Sequence, residues 1–103
     1  MIVKMTGIKI NIIFKLHRRG KWGASHTSVT RARNGIPSHL WGEVDDELDD
    51  LIKRGFINRK PTGYGTEISL NLMKKKEIDA MLRWLKDNTD SFVPDQSVYD
   101  IEV

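Results

Sequence analysis

The residues of this 103-residue chain whose types could do chemistry are three histidines, a run of carboxylates and a pair of glycines. His17, His26 and His39 stand 9 and 13 positions apart, so no two share a helical face, and no cysteine is present to complete a metal site. His26 beside Thr27 reads as a local hydrogen-bonding residue of a turn. Asp45, Asp46, Asp49 and Asp50 contain the pairs that acid–base work or a divalent cation would need, but carboxylates clustered on a helix surface are ordinarily just solvated. Gly63-Tyr64-Gly65 lacks the full glycine pattern and the following helix start of a phosphate loop. No nucleophile stands with a base in a recognisable motif. The chain is therefore expected not to be an enzyme and to carry no metal and no cofactor, which leaves recognition through charge as its chemistry.

The charge is strongly patterned. The formal total is +3, yet residues 1–36 hold Lys4, Lys9, Lys15, Arg18, Arg19, Lys21, Arg31 and Arg33 and no acid. Residues 37–55 hold six acids and two bases, residues 56–76 five bases and Glu67, and residues 77–103 seven acids and two bases. Such blocks describe surfaces and partners rather than fold. No apolar run approaches the length of a membrane span, and the N-terminal stretch lacks the continuous apolar core and small-residue cleavage site of a signal peptide. With cysteine absent, a cytoplasmic protein without membrane attachment is expected.

Several elements must position these charges. Over residues 7–19 two periods coexist: Ile8, Ile10, Ile12, Phe14 and Leu16 alternate, while Ile8, Ile12, Ile13 and Leu16 follow helical spacing. The cations His17, Arg18 and Arg19 ahead of Gly20 suit a helix end, so a helix is expected, with room for a short strand before it. Residues 20–26 read as a turn. A short helix should follow from Thr27 or Ser28 to the stop at Asn34-Gly35. The third helix is the clearest: Ser38 as its N-cap, a stripe of Leu40, Val44, Leu48, Leu51 and Ile52, and Gly55 at its end. A hairpin follows, with residues 56–60 and 66–71 as arms and two glycines supplying positive φ at the tip. A last helix should run from Asn71 to about Lys86 on Ile78, Met81, Leu82 and Leu85. One domain is expected over residues 1–88, with 89–103 an acidic tail that is either flexible or docked through Val98, Tyr99 and Ile101.

The junction LIKRGFINRK (Leu51 to Lys60) followed by PTGYGTEISLN passes from helix to glycine to hairpin as winged-helix domains do. Together with WGASHT (Trp22 to Thr27), PSHLWGEVDDELDDLIKRGF (Pro37 to Phe56) and KPTGYG (Lys60 to Gly65), it makes residues 8–86 resemble the small archaeal winged-helix proteins. The resemblance implies an α+β winged helix-turn-helix fold: a three-helix core, a β-hairpin wing and an additional C-terminal helix. It also implies DNA binding and transcription regulation, the third helix entering the major groove and the wing touching phosphate or the minor groove. On these positions the groove-facing residues would be His39, Trp41, Gly42, Asp45, Asp46 and Asp49, and the wing residues Arg59, Lys60, Thr62 and Tyr64.

The third helix departs from that logic: it carries Glu43, Asp45, Asp46, Glu47, Asp49 and Asp50, and with its apolar stripe inward Glu43, Asp46, Glu47, Asp49 and Asp50 are expected on or beside the exposed face, where they would repel the phosphate backbone on both sides of a groove. The expected nucleic-acid contacts are therefore Lys15, Arg18, Arg19, Lys21, Arg31 and Arg33 from the acid-free block, Arg59, Lys60 and Tyr64 from the wing, and His39 and Trp41 at the tip of the third helix. DNA is expected ahead of RNA. The alternative is a protein-interaction module using the acidic third helix toward a basic partner or a second copy of the chain. Trp22 and Trp41 read as core residues or as stacking surfaces, and Trp84, offset from its stripe, as a dimer contact. The two hypotheses separate on the surface: Lys15, Arg18, Arg19, Arg31 and Arg33 clustering with Arg59 and Lys60 would favour the first, and the acidic helix packing against those same bases would favour the second.

Overall fold

Alternation governs the chain only as far as Thr6. In the computed structural model, which describes residues 1–90 and 94–103, Val3 and Met5 are buried while Ile2 and Lys4 face out, forming strand β1 (Ile2–Thr6). Thr6 then caps helix α1 (Gly7–Arg18), its hydroxyl accepting from Lys9 N at 3.2 Å. Ile8, Ile10, Ile12, Ile13 and Leu16 are all buried. This is why two periods coexist in the sequence: α1 is covered on most of its circumference, so its apolar residues form a wrap rather than a stripe.

The expected second helix is shorter and tighter than a helix. Thr27–Ser28 is a two-residue strand, β2, and Val29–Arg33 is one run of 3₁₀-helix, capped by Ser28 Oγ accepting from Thr30 N at 3.3 Å. Ser38 does not cap the third helix. It opens a 3₁₀ turn (Ser38–Leu40) after Pro37, and helix α2 (Trp41–Lys53) begins without a side-chain cap. Val44, Leu48 and Leu51 are its buried face. Gly55, at φ +80°, ends it. Gly55→Ala is expected to lower stability by about 1 kcal/mol, since a Cβ disfavours this conformation although the space is open apart from the flexible Lys74 side chain. Chemical denaturation reads the change, and an unchanged midpoint would contradict it.

The hairpin is β3 (Ile57–Thr62) and β4 (Gly65–Leu70), joined by a two-residue tip, Gly63-Tyr64. Only Gly65 of the two tip glycines takes positive φ, +134°. The remaining constraint comes from Thr62, whose hydroxyl donates to Gly65 O at 2.8 Å and accepts from Tyr64 N at 3.2 Å. Strand β2 pairs with β4, giving the antiparallel order β2-β4-β3, in which Thr27 stands opposite Ile68 and Ile68 opposite Arg59. Asn71 accepts from Met73 N at 3.0 Å, starting a 3₁₀ turn that leads into helix α3 (Lys75–Asn88).

Packed structure does not stop at residue 88. Val98–Glu102 forms β5, antiparallel to β1, with Ile101 fully buried opposite Val3. The stretch ahead of β5 also closes the start of α1: Gly7 N donates to Ser97 O at 2.9 Å and Ile8 N to Asp95 O at 3.0 Å. These are two of the donors a helix N-terminus leaves unpaired. Residues 91–93 of the expected tail lie outside the described residues. Among the described residues the fold is thus α+β, with three α-helices and two small antiparallel sheets around one core drawn from every α-helix and β-strand except the two-residue β2. Among the described residues, no helix is long and apolar enough to cross a membrane.

Candidate nucleic-acid interface

Charges on the acidic helix sort into two sets. On its inner side, Glu47 meets Lys9 at 2.6 Å and accepts from the Thr6 hydroxyl at 2.5 Å, and Asp50 meets Lys9 at 3.1 Å and Arg54 at 3.7 Å. The Lys9 hydrogen bond, foremost, holds the Asp50 carboxyl below its usual range. At the start of the helix Arg33 grips Asp45 with a two-pronged fork, Nε to Oδ1 at 3.1 Å and Nη2 to Oδ2 at 2.5 Å. Among the described residues, Glu43, Asp46 and Asp49 make no ion pair. The acidic helix therefore consumes two bases of the first block, Lys9 and Arg33, and leaves the rest.

Those remaining bases are placed differently from one another. Lys15, Arg19 and Arg31 line one cleft between α1 and the 3₁₀ turn, with Thr27, Asn34 and Ile68. No acid lines it. Its volume is about 300 Å³ counting the open mouth, but a water molecule can be centred in only about 20 Å³ of it. Lys15 Nζ donates to Ala32 O at 2.8 Å and Asn34 O at 2.9 Å, stapling α1 to the carbonyls that end the 3₁₀ turn. Burial first, and the nearby Arg19 second, push its pKa down to about 8. Arg18 lies over the exposed ring of Phe14 at 5.9 Å. Lys21 is half-buried, with its backbone oxygen accepting from Leu70 N at 2.7 Å.

The wing is less uniform than its sequence suggests. Arg59 and Lys60 are consecutive in a strand, so they point to opposite faces. Arg59 lines a cleft against α2 with Arg33, Asp45 and Asp49. Lys60 stands opposite Glu67, which is ion-paired to His26. Tyr64 is fully exposed at the tip, whereas the Thr62 hydroxyl is used up in holding that tip. His39 is exposed on the turn before α2, and Gly42 is exposed in its first turn. Trp41 is 39% exposed; its indole N–H donates to Ile36 O at 2.9 Å and Arg33 lies over the ring at 5.2 Å. Trp22 packs partly buried against the core, edge-on to His17 at 5.9 Å and under Lys75 at 5.2 Å, and Trp84 is partly buried against the core as well.

The structure thus brings Lys15, Arg19 and Arg31 together, and separately gathers Arg33, Trp41 and Asp45; it splits Arg59 from Lys60. The histidines sit on different elements, His17 paired with Asp79 at 3.2 Å and His26 with Glu67. Among the described residues no group of three His, Asp or Glu is placed to hold a metal. Sequence reasoning missed Lys9 as a buried pairing residue. The available signal was its position inside an isoleucine run, where a base finds no room in solvent. Compared with known proteins, the chain matches no family model, no curated protein and no solved structure.

Proposed function

We propose that the chain is a winged-helix domain that binds nucleic acid, duplex DNA ahead of RNA, as a transcription regulator acting in the cytoplasm. The order helix, 3₁₀ turn, helix, hairpin, helix, with the short strand β2 pairing the returning arm of the hairpin, supports the fold reading. One observation carries the function: after the acidic helix has taken Lys9 and Arg33, the exposed Arg18, Arg19 and Arg31 remain without an acid partner among the described residues. Phosphate contacts come from these bases, with Lys21 and the wing bases beside them. They position the domain on the backbone, while Tyr64 at the wing tip is free to meet sugar or base. Helix α2 does not lie along a groove, because Glu43, Asp46 and Asp49, which make no ion pair among the described residues, would repel phosphate.

The test is anisotropy of a labelled duplex against the protein at 50 and 200 mM salt. Binding at micromolar concentration or tighter that falls steeply with salt is expected, and Arg59→Ala with Lys60→Ala should lower the log–log salt slope by about one to two. The lower figure applies if the carboxylates facing Arg59 keep it from phosphate. Absence of binding at the lower salt overturns the reading. That outcome favours a second reading, in which the unpaired acids of α2 and the exposed Trp41 form a surface for a basic protein partner or a second copy. A monomer at every salt and concentration in sedimentation would remove the second copy.

A further inference from the structure

Among the basic residues, one group is placed differently from the rest. Arg18 and Lys60 are single side chains on open surface, but Lys15, Arg19 and Arg31 converge on one cleft from two elements. Lys15 is fixed there by two carbonyls, which orders its ammonium and leaves one N–H unspent. Arg19, at the C-terminal end of α1, and Arg31, on the 3₁₀ turn, are exposed and have no acid partner among the described residues. Thr27 and Asn34 also line the cleft. Three cations line a space that no carboxylate lines, so an anion from outside relieves their mutual repulsion and holds the Lys15 ammonium protonated.

We infer that Lys15, Arg19 and Arg31 form a phosphate seat at the mouth of this cleft, with Lys15 the fixed point of positive charge and the two arginines closing over the phosphate oxygens. The inference rests on the proposed nucleic-acid reading only for the source of the phosphate; the seat itself is defined by the three side chains. The enclosed space is too small to take a phosphate group whole, so the ligand sits across the mouth with its oxygens toward the Lys15 ammonium. Arginines suit this because their planar forks bind two oxygens at once. The chemistry is shared by a backbone phosphodiester and by a small phosphorylated molecule.

The test uses the full chain and the double variant Arg19→Gln/Arg31→Gln. Both side chains are exposed and outside every ion pair among the described residues, so the variant is expected to fold as the parent does. Inorganic phosphate and a labelled 20-base-pair duplex are titrated separately, with the arginine and lysine side-chain NMR signals recorded for the first. Phosphate should shift the Lys15, Arg19 and Arg31 signals of the parent and leave the variant unmoved. The variant should bind the duplex roughly tenfold more weakly, with a salt slope lower by nearly two. A parent whose three signals do not respond to phosphate, with the variant's duplex affinity intact, overturns the seat; the nucleic-acid reading survives if the wing substitutions still weaken duplex binding. A parent that binds phosphate at these residues yet binds no duplex at low salt supports the seat with a small phosphorylated ligand and overturns the nucleic-acid reading instead.

Discussion

Lys9→Met is expected to cost about 3–5 kcal/mol, a large part of the stability of a domain this size. Lys9 has a side chain 10% exposed, and its partner Glu47 is 12% exposed at 2.6 Å. Removing the ammonium leaves Glu47 facing the core with only the Thr6 hydroxyl to satisfy it, and Asp50 with only the longer contact to Arg54. The penalty belongs to the stranded carboxylate rather than to the ion pair's net worth, because desolvation offsets most of what a buried pair gains. The double variant Lys9→Met/Glu47→Leu should therefore recover most of the loss. Urea denaturation of the parent and both variants reads this directly. A loss under 1 kcal/mol for the single variant, or a double variant no better than the single, would show that water reaches the pair. Acid should act on the same contact. The folded-state pKa of Asp50 is depressed, so its contribution is fully present above the ordinary carboxylate range and is lost as the pH falls through the lowered value.

This pair also bears on function. The acid content of α2 reads in the sequence as a single repulsive face, but the inner half of it is tied to α1, to Arg33 and to Arg54. The elements with strong local periods were legible: α2 and α3 from their stripes, the hairpin from its alternating second arm, the stop at Gly55. Less legible were features decided by distant partners. Ser38 is an acceptable cap residue by type, yet Pro37 directs the chain into a 3₁₀ turn first, and the α-helix starts at Trp41. Residues 2–6 become a strand because residues 98–102 lie beside them, a pairing across almost the whole chain that no local period encodes. The site shows the same division. That Arg31 and Arg33 are two residues apart says nothing of their fates: Arg33 is locked onto Asp45, and Arg31 lines the cleft that Lys15 and Arg19 also line. Arg59 and Lys60 are adjacent, and strand geometry alone requires them to diverge.

The second large effect is expected at the other end of the chain. Ile101→Ala should cost about 2–5 kcal/mol, since the side chain is fully buried in the main core cluster. The residue lies in a stretch whose composition, acidic with one proline, resembles a solvated tail, so the size of the loss measures whether β5 is part of the cooperative fold. Val98→Ala in the same strand is the matched comparison: Val98 is 61% exposed, and its replacement should stay within about 0.5 kcal/mol. Denaturant midpoints for both variants, with the slope checked for constancy, give the two numbers. Equal small losses would place β5 outside the cooperative unit. The expected large difference carries a further consequence for α1. Ser97 and Asp95 accept from the first amides of that helix, so loosening β5 should raise hydrogen exchange at Gly7 and Ile8. The opposite end of α1, where Lys15 and Arg19 stand, is held independently by the Lys15 staple to Ala32 and Asn34. Stability and anion recognition are thereby anchored at opposite ends of one helix, and Ile101→Ala should weaken the fold while leaving the phosphate affinity of the folded fraction unchanged.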